Sequence, residues 1–532
     1  MKFNNVKFLA KAQAMQGLQI RANMIICFFA FIKFIIPFAF IHPAFQLHRD
    51  EYLYLANARH LAWGYFEMPP ILALLGYISN LFNGSFYAVY FWCALFGSLT
   101  IFIIGKIVLE LKGNVYAVFI ACLAFLTSGF LRMNILFQPN FLDIFFWTLS
   151  CYFIIKLINS NDKKYLYYLG LSFAFGFLSK YTIAFFILGF LCSVILTPLR
   201  KWLLNKYFYV AILLALVIIS PNLYWQYHHN FPGLHQIQLL QTLQLQYNSR
   251  IDFLINQILF SISSFYVWIL GLWFLIIKKA GRKYISIAII YFVVIGLLLW
   301  KNGKPYYAAS IYPALFAIGS VYIERLLQPH KIKIIHWAIP FYMLLVTVFI
   351  FPILIPCRSP EKLAAFYKKI HAEKIGVLDW EERKNNALPQ DFADMLGWKE
   401  MAEKTAKVYR GLPDSVQQKT MVYSNSYADA GALLFYGKKY GLPEIYSDDS
   451  SFAFWLPDKF NFQYLLFVTH RMPEPSDSFF YHFAKTEIKD SVTDKYAREF
   501  GDKIILYSFP DTTAKSIAER NIKEFKTKYN IK

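Results

Sequence analysis

The feature that most constrains this chain is a series of long apolar stretches separated by short, basic connections. A helix needs roughly 20 apolar residues to cross about 30 Å of hydrocarbon. Eleven stretches are long enough, or nearly so: 24–41, 86–109, 115–130, 141–158, 164–178, 181–199, 206–223, 253–277, 283–300, 305–323 and 334–356. The sequence therefore predicts a polytopic α-helical membrane protein with about 11 transmembrane helices.

The composition excludes a cytosolic globular protein and a disordered one. Only 16% of the 532 residues are charged, whereas 57% are hydrophobic, and soluble domains usually contain about 25% charged residues. A formal net charge of +21 could indicate nucleic-acid binding. In so apolar a chain, however, we expect the cations to mark one side of a membrane, and we predict no nucleic-acid partner. The six cysteines show no disulfide framework and no zinc-like spacing.

The distribution of Lys and Arg predicts the orientation. With the N-terminus inside, 19 of them lie in the N-terminal arm and in the connections 105–114, 156–164, 198–206, 278–284 and 324–333. This asymmetry agrees with the positive-inside rule. No clear cleavage site follows the basic N-terminal arm, so we expect an uncleaved first helix. The seven cations on the opposite side are expected to have local roles there; they are Arg49, Arg59, Arg132, Lys180, Arg250, Lys301 and Lys304.

The chain changes character after residue 356. Residues 357–532 contain no apolar run of spanning length and mix helix-like segments with short β-like runs. The helix-like segments are 359–373, 399–410 and 426–440, and the β-like runs are 420–424, 464–469 and 503–508. We therefore predict a transmembrane domain over 1–356 and a soluble α/β domain over 357–532, which an odd number of crossings places outside the cytoplasm.

The first large outer loop, 42–85, carries the most suggestive acidic residues. Its segment 51–62 has helical periodicity with an aromatic face, which is typical of a helix lying in the membrane interface. Asp50 stands at the start of that helix, where it could be an N-cap. A carboxylate at this surface could equally accept a proton from an acceptor hydroxyl. Glu51 could share that role or only complement the helix dipole.

Several short motifs in a fixed order carry a family resemblance. Through these motifs the chain resembles the membrane glycosyltransferases of the GT-C superfamily. The resemblance is greatest to enzymes like those of glycosyltransferase family 39, which include the protein O-mannosyltransferases and the lipid A aminoarabinose transferase. The motifs are Asp50-Glu51, Glu67-x-Pro69-Pro70, Gln138-Pro139-Asn140-Phe141-Leu142-Asp143, Ser179-Lys180-Tyr181-Thr182, Pro221-Asn222-Leu223-Tyr224-Trp225, Lys301-Asn302-Gly303-Lys304-Pro305-Tyr306-Tyr307 and Tyr312-Pro313. The tail resembles an outer domain of a bacterial subset through Leu388-Pro389-Gln390-x-Phe392-Ala393-Asp394 and Tyr427-Ala428-Asp429-Ala430-Gly431.

The resemblance implies transfer of a hexosyl or pentosyl group, with inversion at the anomeric carbon, from an undecaprenyl-like polyprenyl phosphate. The acceptor would be a glycan, lipid or protein of the cell envelope, at the outer face of a bacterial inner membrane. Asp50 matches the catalytic loop acid of the family, and Asp143 matches its second acid. Met68 stands where the family often has a Lys that meets the lipid phosphate. Other cations must then hold the phosphate, or the donor lies differently.

The departing polyprenyl phosphate needs a positively charged partner. Lys301 and Lys304 lie in a very short outer turn next to Tyr306. They could extend to the interface beside an aromatic belt, or they could bind the donor phosphate. Lys180, between two apolar stretches, has the same two interpretations. The predicted phosphate-binding residues are therefore Lys180, Lys301, Lys304 and Tyr306.

A divalent metal ion is the one cofactor that the sequence suggests, and no spacing requires it. Glu67 and His228 supply an oxygen and a nitrogen ligand for such an ion, with His229 or His235 as alternatives to His228.

Two other classes of function share these spans. A transporter or flippase of lipid-linked sugars should have buried ionisable groups near the middle of the membrane. The clearest charge inside a predicted span is Lys33, whereas the notable acids cluster at the outer surface. A tail that only binds a partner would not need eleven spans as an anchor. These features favour an enzyme.

Overall fold

The computed structural model describes residues 2–328, 333–382, 384–459, 461–473 and 478–531, and it describes only the backbone of 2–15, 333 and 478. Of the cations counted on the inner side, Lys331 and the side chains of Lys2, Lys7, Lys11 and Lys333 lie outside this description. The chain forms two compact units. The helical unit contains Met1–Ala39, Tyr90–Asn222 and Ile237–Ile355, and the sheet unit contains Phe40–Val89, Leu223–Gln236 and Pro356–Lys532.

The helical unit consists of α-helices joined by short turns and 3₁₀ segments. The 3₁₀ segments are Pro198–Leu204, Leu245–Tyr247 and Pro305–Ile311. The α-helices, some of which extend past the limits of the unit, are Lys2–Phe40, Phe86–Glu110, Val115–Leu126, Phe130–Met133, Asn140–Ser160, Lys164–Phe177, Ile183–Leu196, Lys206–His228, Pro232–Leu243, Arg250–Leu259, Phe265–Ile277, Lys279–Arg282, Ile285–Trp300, Tyr312–Leu327 and Lys333–Leu354.

Six helical segments among the described residues are long and apolar enough to cross a membrane. They are Gln16–Phe40, Phe86–Glu110, Asn140–Ser160, Lys206–His228, Pro305–Leu327 and Ile334–Leu354. Helices Ile183–Leu196 and Pro198–Leu204 meet at an angle of 97°. If they form one bent span, the number of candidate spans is seven. The predicted eleven spans are therefore not confirmed. Helices such as Val115–Leu126, with 12 residues, reach only about 18 Å at 1.5 Å per residue.

The predicted span 253–277 is interrupted by a polar break. Helix Arg250–Leu259 ends before three buried serines, and the next helix is Phe265–Ile277. Ser263 Oγ donates a hydrogen bond to the Thr127 carbonyl oxygen at 2.5 Å, and Ser261 Oγ accepts one from the Trp268 indole at 3.0 Å. These hydroxyls satisfy polar groups in a non-helical turn, so an apolar average over the whole stretch overestimates the length of the helix.

Close helix packing in this unit depends on small residues. Helices Phe265–Ile277 and Tyr312–Leu327 cross where Gly271 faces Gly319. A Cβ atom on Gly319 would overlap the Val267 carbonyl oxygen, and one on Gly271 would lie 2.6 Å from the Leu315 carbonyl oxygen. Glycine is therefore required for this approach, as is common between membrane helices.

Among the described residues, the sheet unit is built on five strands: β1 Thr420–Ser424, β2 Ile445–Tyr446, β3 Tyr464–Thr469, β4 Phe483–Ser491 and β5 Lys503–Pro510. Their order is β2-β1-β3-β5-β4. Strand β1 is parallel to both β2 and β3, whereas β5 is antiparallel to β3 and β4. The carboxyl ends of β1 and β3 therefore lie next to the amino end of β5, at one edge of the sheet.

The secondary structure predicted for the tail is confirmed. The three β-like runs are β1, β3 and β5, and the three helix-like segments are Pro360–Lys369, Trp398–Arg410 and Tyr427–Tyr440. The remaining helical segments of the unit are Arg49–Asn57, Ile71–Asn80, Ala372–Ile375, Gln390–Ala393, Asp414–Gln417, Ser450–Trp455, Ser478–His482 and Thr512–Lys528. The C-terminal sheet domain thus combines α-helices with a mixed sheet.

The first loop belongs to the same compact unit as the tail, whereas the predicted division had grouped it with the spans. The buried ring of Tyr52, on helix Arg49–Asn57, packs edge-on against Trp398 and Phe435 of the tail at 5.6 and 5.5 Å between ring centroids. Gly431 allows this contact, because a Cβ atom there would lie 2.8 Å from Tyr52 Cβ and 2.9 Å from its carbonyl carbon. The tail therefore forms part of the hydrophobic core of the loop.

Candidate active site

The helix that carries Asp50 begins at Arg49, two residues earlier than predicted. Its N-cap is His48, whose Nδ1 accepts a hydrogen bond from the Asp50 backbone N–H at 3.2 Å. The buried Glu51 carboxylate accepts one from the His48 N–H at 2.6 Å and so completes a capping box. The interpretation of Asp50 as the N-cap is wrong, because the His48 ring fills that role and places Asp50 in the first turn. The described contact of Glu51 is structural.

The Asp50 carboxylate is held by a residue of the tail. Tyr427 Oη donates a hydrogen bond of 2.7 Å to Asp50 Oδ1, and the Arg49 guanidinium lies over the Tyr427 ring, 5.2 Å from its centroid. Burial, with the negative charge of Asp50, raises the pKa of Tyr427 well above its usual value. The phenol therefore stays protonated at neutral pH and acts as a donor to the carboxylate.

Glu67 lies in a second polar contact between the loop and the tail. Its Oε1 accepts from Asn57 Nδ2 at 2.5 Å, and its Oε2 accepts from Ser451 Oγ at 2.7 Å. Burial raises the pKa of Glu67, and the nearby Asp449 adds to this effect, although the two hydrogen bonds oppose it. Asp449 also accepts a hydrogen bond from the Tyr427 backbone N–H at 3.0 Å. One tail segment, residues 427–451, thus contacts both Asp50 and Glu67.

The predicted metal ligands Glu67 and His228 each make other contacts, and the metal site remains a prediction. Both Glu67 oxygens already accept hydrogen bonds from neutral groups. The His228 ring lies 5.0 Å from that of His229, and its carbonyl oxygen accepts a hydrogen bond from Asn530 Nδ2 at 3.1 Å. Two other groups among the described residues have ligand atoms within 4.8 Å of one another: His48, Asp391 and Asp394, and His470, Glu499 and Asp502.

The helical unit brings most of its own predicted site residues together. Asp143, in the first turn of helix Asn140–Ser160, is only 2% exposed, and its Oδ2 accepts a hydrogen bond from Ser310 Oγ at 2.7 Å. Lys180 Nζ donates to Asn140 Oδ1 at 2.6 Å. Both Asp143 and Lys304 act electrostatically on Lys180. A buried carboxylate and two cations therefore share one polar cluster.

Aromatic rings form one side of this cluster. Lys180 Nζ lies 5.5 Å from the centroid of the Tyr306 ring and 5.0 Å from that of Tyr307. These contacts are favourable for an ammonium group. Lys301 differs, because its side chain is exposed and its Nζ lies over the Trp300 ring at 4.3 Å. That geometry matches the interpretation of Lys301 as an interfacial residue beside an aromatic belt.

Sequence reasoning missed the partners that hold the predicted groups. Asn140 precedes Asp143 by three residues on one helix, a spacing that places both on the same face, so its role could have been inferred. Tyr427 opens a tail motif but had no visible link to Asp50. Ser310 and Ser451 belong to short 3₁₀ segments whose position no local pattern reveals.

Known membrane glycosyltransferases are similar to this chain in sequence. A family model described as dolichyl-phosphate-mannose-protein mannosyltransferase matches residues 67–225. The lipid A galacturonosyltransferase RgtD of Rhizobium johnstonii is 25% identical over 191 residues, which cover 34% of this chain and 38% of that protein. The matching region therefore spans less than half of the length of that relative.

The structural similarity extends over nearly the whole chain. ArnT from Cupriavidus metallidurans in the apo state aligns with a TM-score of 0.58 and 14% identity, covering 93% of this chain and 98% of ArnT. ArnT bound to undecaprenyl phosphate aligns with a TM-score of 0.56 and 15% identity, covering 90% and 96%. The chain therefore shares the fold of ArnT, and its sequence similarity to the mannosyltransferase family model and to RgtD is to membrane glycosyltransferases.

Proposed function

We propose that this protein transfers a sugar from a polyprenyl-phosphate carrier to an acceptor at the outer face of a bacterial plasma membrane. The observation that carries the proposal is the Asp50 carboxylate, presented by a short loop helix and held by Tyr427, in a chain with the GT-C fold. The matching family description names a dolichyl-phosphate-mannose donor, and one ArnT structure is of the complex with undecaprenyl phosphate. Both support a polyprenyl-phosphate donor.

The reaction is a single displacement at the anomeric carbon. Asp50 accepts the proton of the acceptor hydroxyl or amine while the acceptor atom attacks C1 of the sugar. The bond between C1 and the phosphate oxygen breaks, and the polyprenyl phosphate leaves with the electron pair. Because attack and departure occur on opposite faces of C1, the configuration inverts. Tyr427 keeps Asp50 oriented for the proton transfer.

The departing phosphate needs cations that are already in position. Lys180 and Lys304 are the strongest candidates, because they act on each other electrostatically and the first is oriented by Asn140. The Tyr306 hydroxyl is a further donor next to them. Lys301 is a weaker candidate because its ammonium group already lies over Trp300. Asp143 would limit the positive charge of the cluster and hold Ser310 in place.

The proposed acceptor is a lipid, glycan or protein of the cell envelope, and the transferred group is hexosyl or pentosyl. RgtD is described as acting on lipid A, which supports a lipid acceptor. The excess of Lys and Arg in the predicted inner connections supports an extracytoplasmic position for the first loop and residues 357–532. On this basis, the tail helps to build the acceptor side of the site.

The test uses the full-length protein in proteoliposomes with a radiolabelled, lipid-linked sugar. Asp50→Asn should lower the transfer rate by about 10² to 10⁴-fold, the usual contribution of a general base. Asp414→Asn changes an exposed carboxylate of the same unit and should leave the rate unchanged. Transfer by Asp50→Asn at the wild-type rate would reject Asp50 as the base.

The same lipid-linked donor, given to the protein in detergent, separates an enzyme from a flippase. An enzyme should release polyprenyl phosphate in detergent, without any membrane gradient, whereas a flippase should leave the sugar–phosphate bond intact. The buried Lys33 does not favour transport, because its Nζ donates to the Phe130 carbonyl oxygen at 2.7 Å and so joins two helices.

A further inference from the structure

A cluster of ionisable side chains outside the proposed active site lies at the sheet edge where β1 and β3 end. We call the cluster of Asp429, His470, Glu499 and Asp502 the carboxylate centre. Asp429 is in the first turn of the helix that follows β1, and His470 comes directly after β3. Glu499 and Asp502 immediately precede β5. Ligand sites of α/β sheets commonly form at the carboxyl ends of the strands.

Three of the four side chains have the geometry of a ligand set. His470 Nδ1 is 2.6 Å from Asp502 Oδ1 and 3.9 Å from Glu499 Oε2, and one ligand atom from each residue lies within 4.8 Å of the other two. Asp502 and Glu499 are 0% and 7% exposed. The His470 side chain is 58% exposed, so an ion could reach the centre from that side.

An independent observation concerns Asp429, which is not one of these three residues. It is only 1% exposed, and its charge interacts with those of Glu499 and Asp502. Its Oδ2 accepts a hydrogen bond from Ser424 Oγ at 3.0 Å. Its Oδ1 is buried and has no hydrogen-bond partner among the described residues, and the same is true of Asp502 Oδ2. Two buried carboxylate oxygens of the centre are therefore without a donor, which is energetically costly.

The nearby arginine does not balance this charge by itself. Arg49 acts electrostatically on Asp429, Glu499 and Asp502. The same guanidinium also interacts with Asp50 and Asp394 and lies on the Tyr427 ring. A second guanidinium, that of Arg498, lies 3.4 Å from Asp394 and also acts on Glu499. Two arginines thus face five carboxylates. A divalent cation bound by Asp502, one of whose oxygens has no donor in the described part of the chain, would add positive charge to this cluster.

We propose that the carboxylate centre binds a divalent transition-metal ion of the Zn²⁺ class through His470, Glu499 and Asp502. One imidazole nitrogen with carboxylate oxygens suits this class, whereas Ca²⁺ and Mg²⁺ prefer ligand sets of oxygen only. The ion connects the end of β3 to the start of β5 and fixes the surroundings of Arg49. This site is separate from Glu67 and His228 and does not depend on the proposed transferase activity.

The experiment uses the full-length protein in detergent. The protein is stripped with EDTA, incubated with ZnCl₂, passed through gel filtration and analysed for bound zinc by mass spectrometry. Wild-type protein should retain about one zinc ion per chain more than His470→Gln or Asp502→Asn. Loss of a ligand should weaken zinc binding on the order of tenfold or more, since even second-shell changes cost 10- to 100-fold. Zn²⁺, but not Mg²⁺ or Ca²⁺, should raise the thermal unfolding midpoint of the wild type.

Two controls make the result specific. His482→Gln changes a similar His–Asp pair, 2.9 Å from Asp511, and should leave zinc retention unchanged. Asp391→Asn tests the other group of potential ligands. Equal zinc content in the wild type, His470→Gln and Asp502→Asn would overturn the proposal, as would a loss confined to Asp391→Asn. If Asp502→Asn does not fold, the exposed His470 decides the outcome, because its replacement leaves the buried core intact.

Discussion

The phenol of Tyr427 donates a 2.7 Å hydrogen bond to the carboxylate of Asp50, although 377 positions separate the two residues in the chain. The tail therefore supplies a group that contacts the proposed catalytic base directly. The same tail helix packs on the helix of Asp50 through Gly431. Orientation of the base and folding of the tail are thus linked within one compact unit.

Replacing Tyr427 by Phe tests this link. The ring and its contact with Arg49 would remain, and only the hydrogen bond to Asp50 would be lost. A hydrogen bond to a charged group contributes about 1.5–3 kcal/mol, so we expect kcat to fall on the order of tenfold. The same loss should lower the thermal unfolding midpoint by only a few degrees, so the folded protein remains available for the assay. Tyr446→Phe removes a hydroxyl that contacts the exposed Glu444 and serves as the control; equal activity of the two variants would exclude a role of Tyr427 in positioning.

Lys304→Ala and Lys180→Gln test the proposed phosphate site. Either change removes a cation from the cluster around Asn140, so kcat/KM for the lipid-linked donor should fall by about tenfold or more. Lys301→Ala should have a smaller effect, because this ammonium group lies over Trp300. Lys163→Ala removes a similar Lys–Tyr contact on the predicted inner side and should not alter donor use. Wild-type donor dependence in Lys304→Ala would remove that residue from the site.

Glu67 should make stability depend on pH. Because its pKa is raised in the folded protein, the folded state binds the proton more tightly than the unfolded chain, in which the value is close to 4.5. The resulting stabilisation is present below about pH 4.5 and is lost as the pH rises through the raised pKa. The unfolding midpoints of the wild type and Glu67→Gln are measured from pH 4 to 8. As the pH rises, the midpoint of the wild type should fall relative to that of Glu67→Gln.

Glu524→Gln, at an exposed position of the last helix, is the control for this measurement. Its midpoint should follow that of the wild type across the whole range. If the midpoint of the wild type instead rises relative to that of Glu67→Gln with increasing pH, the raised pKa of Glu67 is contradicted.

Gly431→Ala tests the close approach of the loop and tail helices. The new methyl group would lie 2.8 Å from Tyr52 Cβ and 2.9 Å from its carbonyl carbon. The neighbouring atoms include backbone, so we expect a loss of unfolding free energy of about 1–3 kcal/mol, typical of overpacking. Gly296→Ala, where no atom lies within 4 Å of the new Cβ, should be neutral or slightly stabilising. Equal stability of the two variants, measured by denaturant unfolding in detergent, would contradict the packing described.

Local sequence patterns predicted the tail well and the helical unit less completely. Strand β3 was predicted from its apolar run, because a single strand can be recognised without information about distant residues. The stretch 253–277 was misjudged, since the role of Ser263 depends on Thr127, a residue of another helix. Lengths set by such contacts cannot be obtained from hydropathy alone.

In the candidate site, too, local patterns predicted some residues, whereas contacts between distant segments could not be predicted. Asp143 and Lys180 were identified as site residues from their motifs, and the structure brings them into one cluster. The N-cap was misassigned because Asp is a common capping residue, whereas here His48 makes that bond. The partnership of Tyr427 with Asp50 depends on how the tail folds onto the loop, which no pattern within either segment encodes.

The burial of Tyr52 by tail residues has a practical consequence for anyone who shortens or recombines this chain. Its ring contacts Trp398, Phe435 and Tyr436, all of which a truncation after residue 356 would delete. The loop would then expose an aromatic face to water, and the truncated protein would be prone to aggregate. Exchanging tails between relatives should succeed only when the loop is exchanged with its tail, so the two segments are expected to be inherited as a pair.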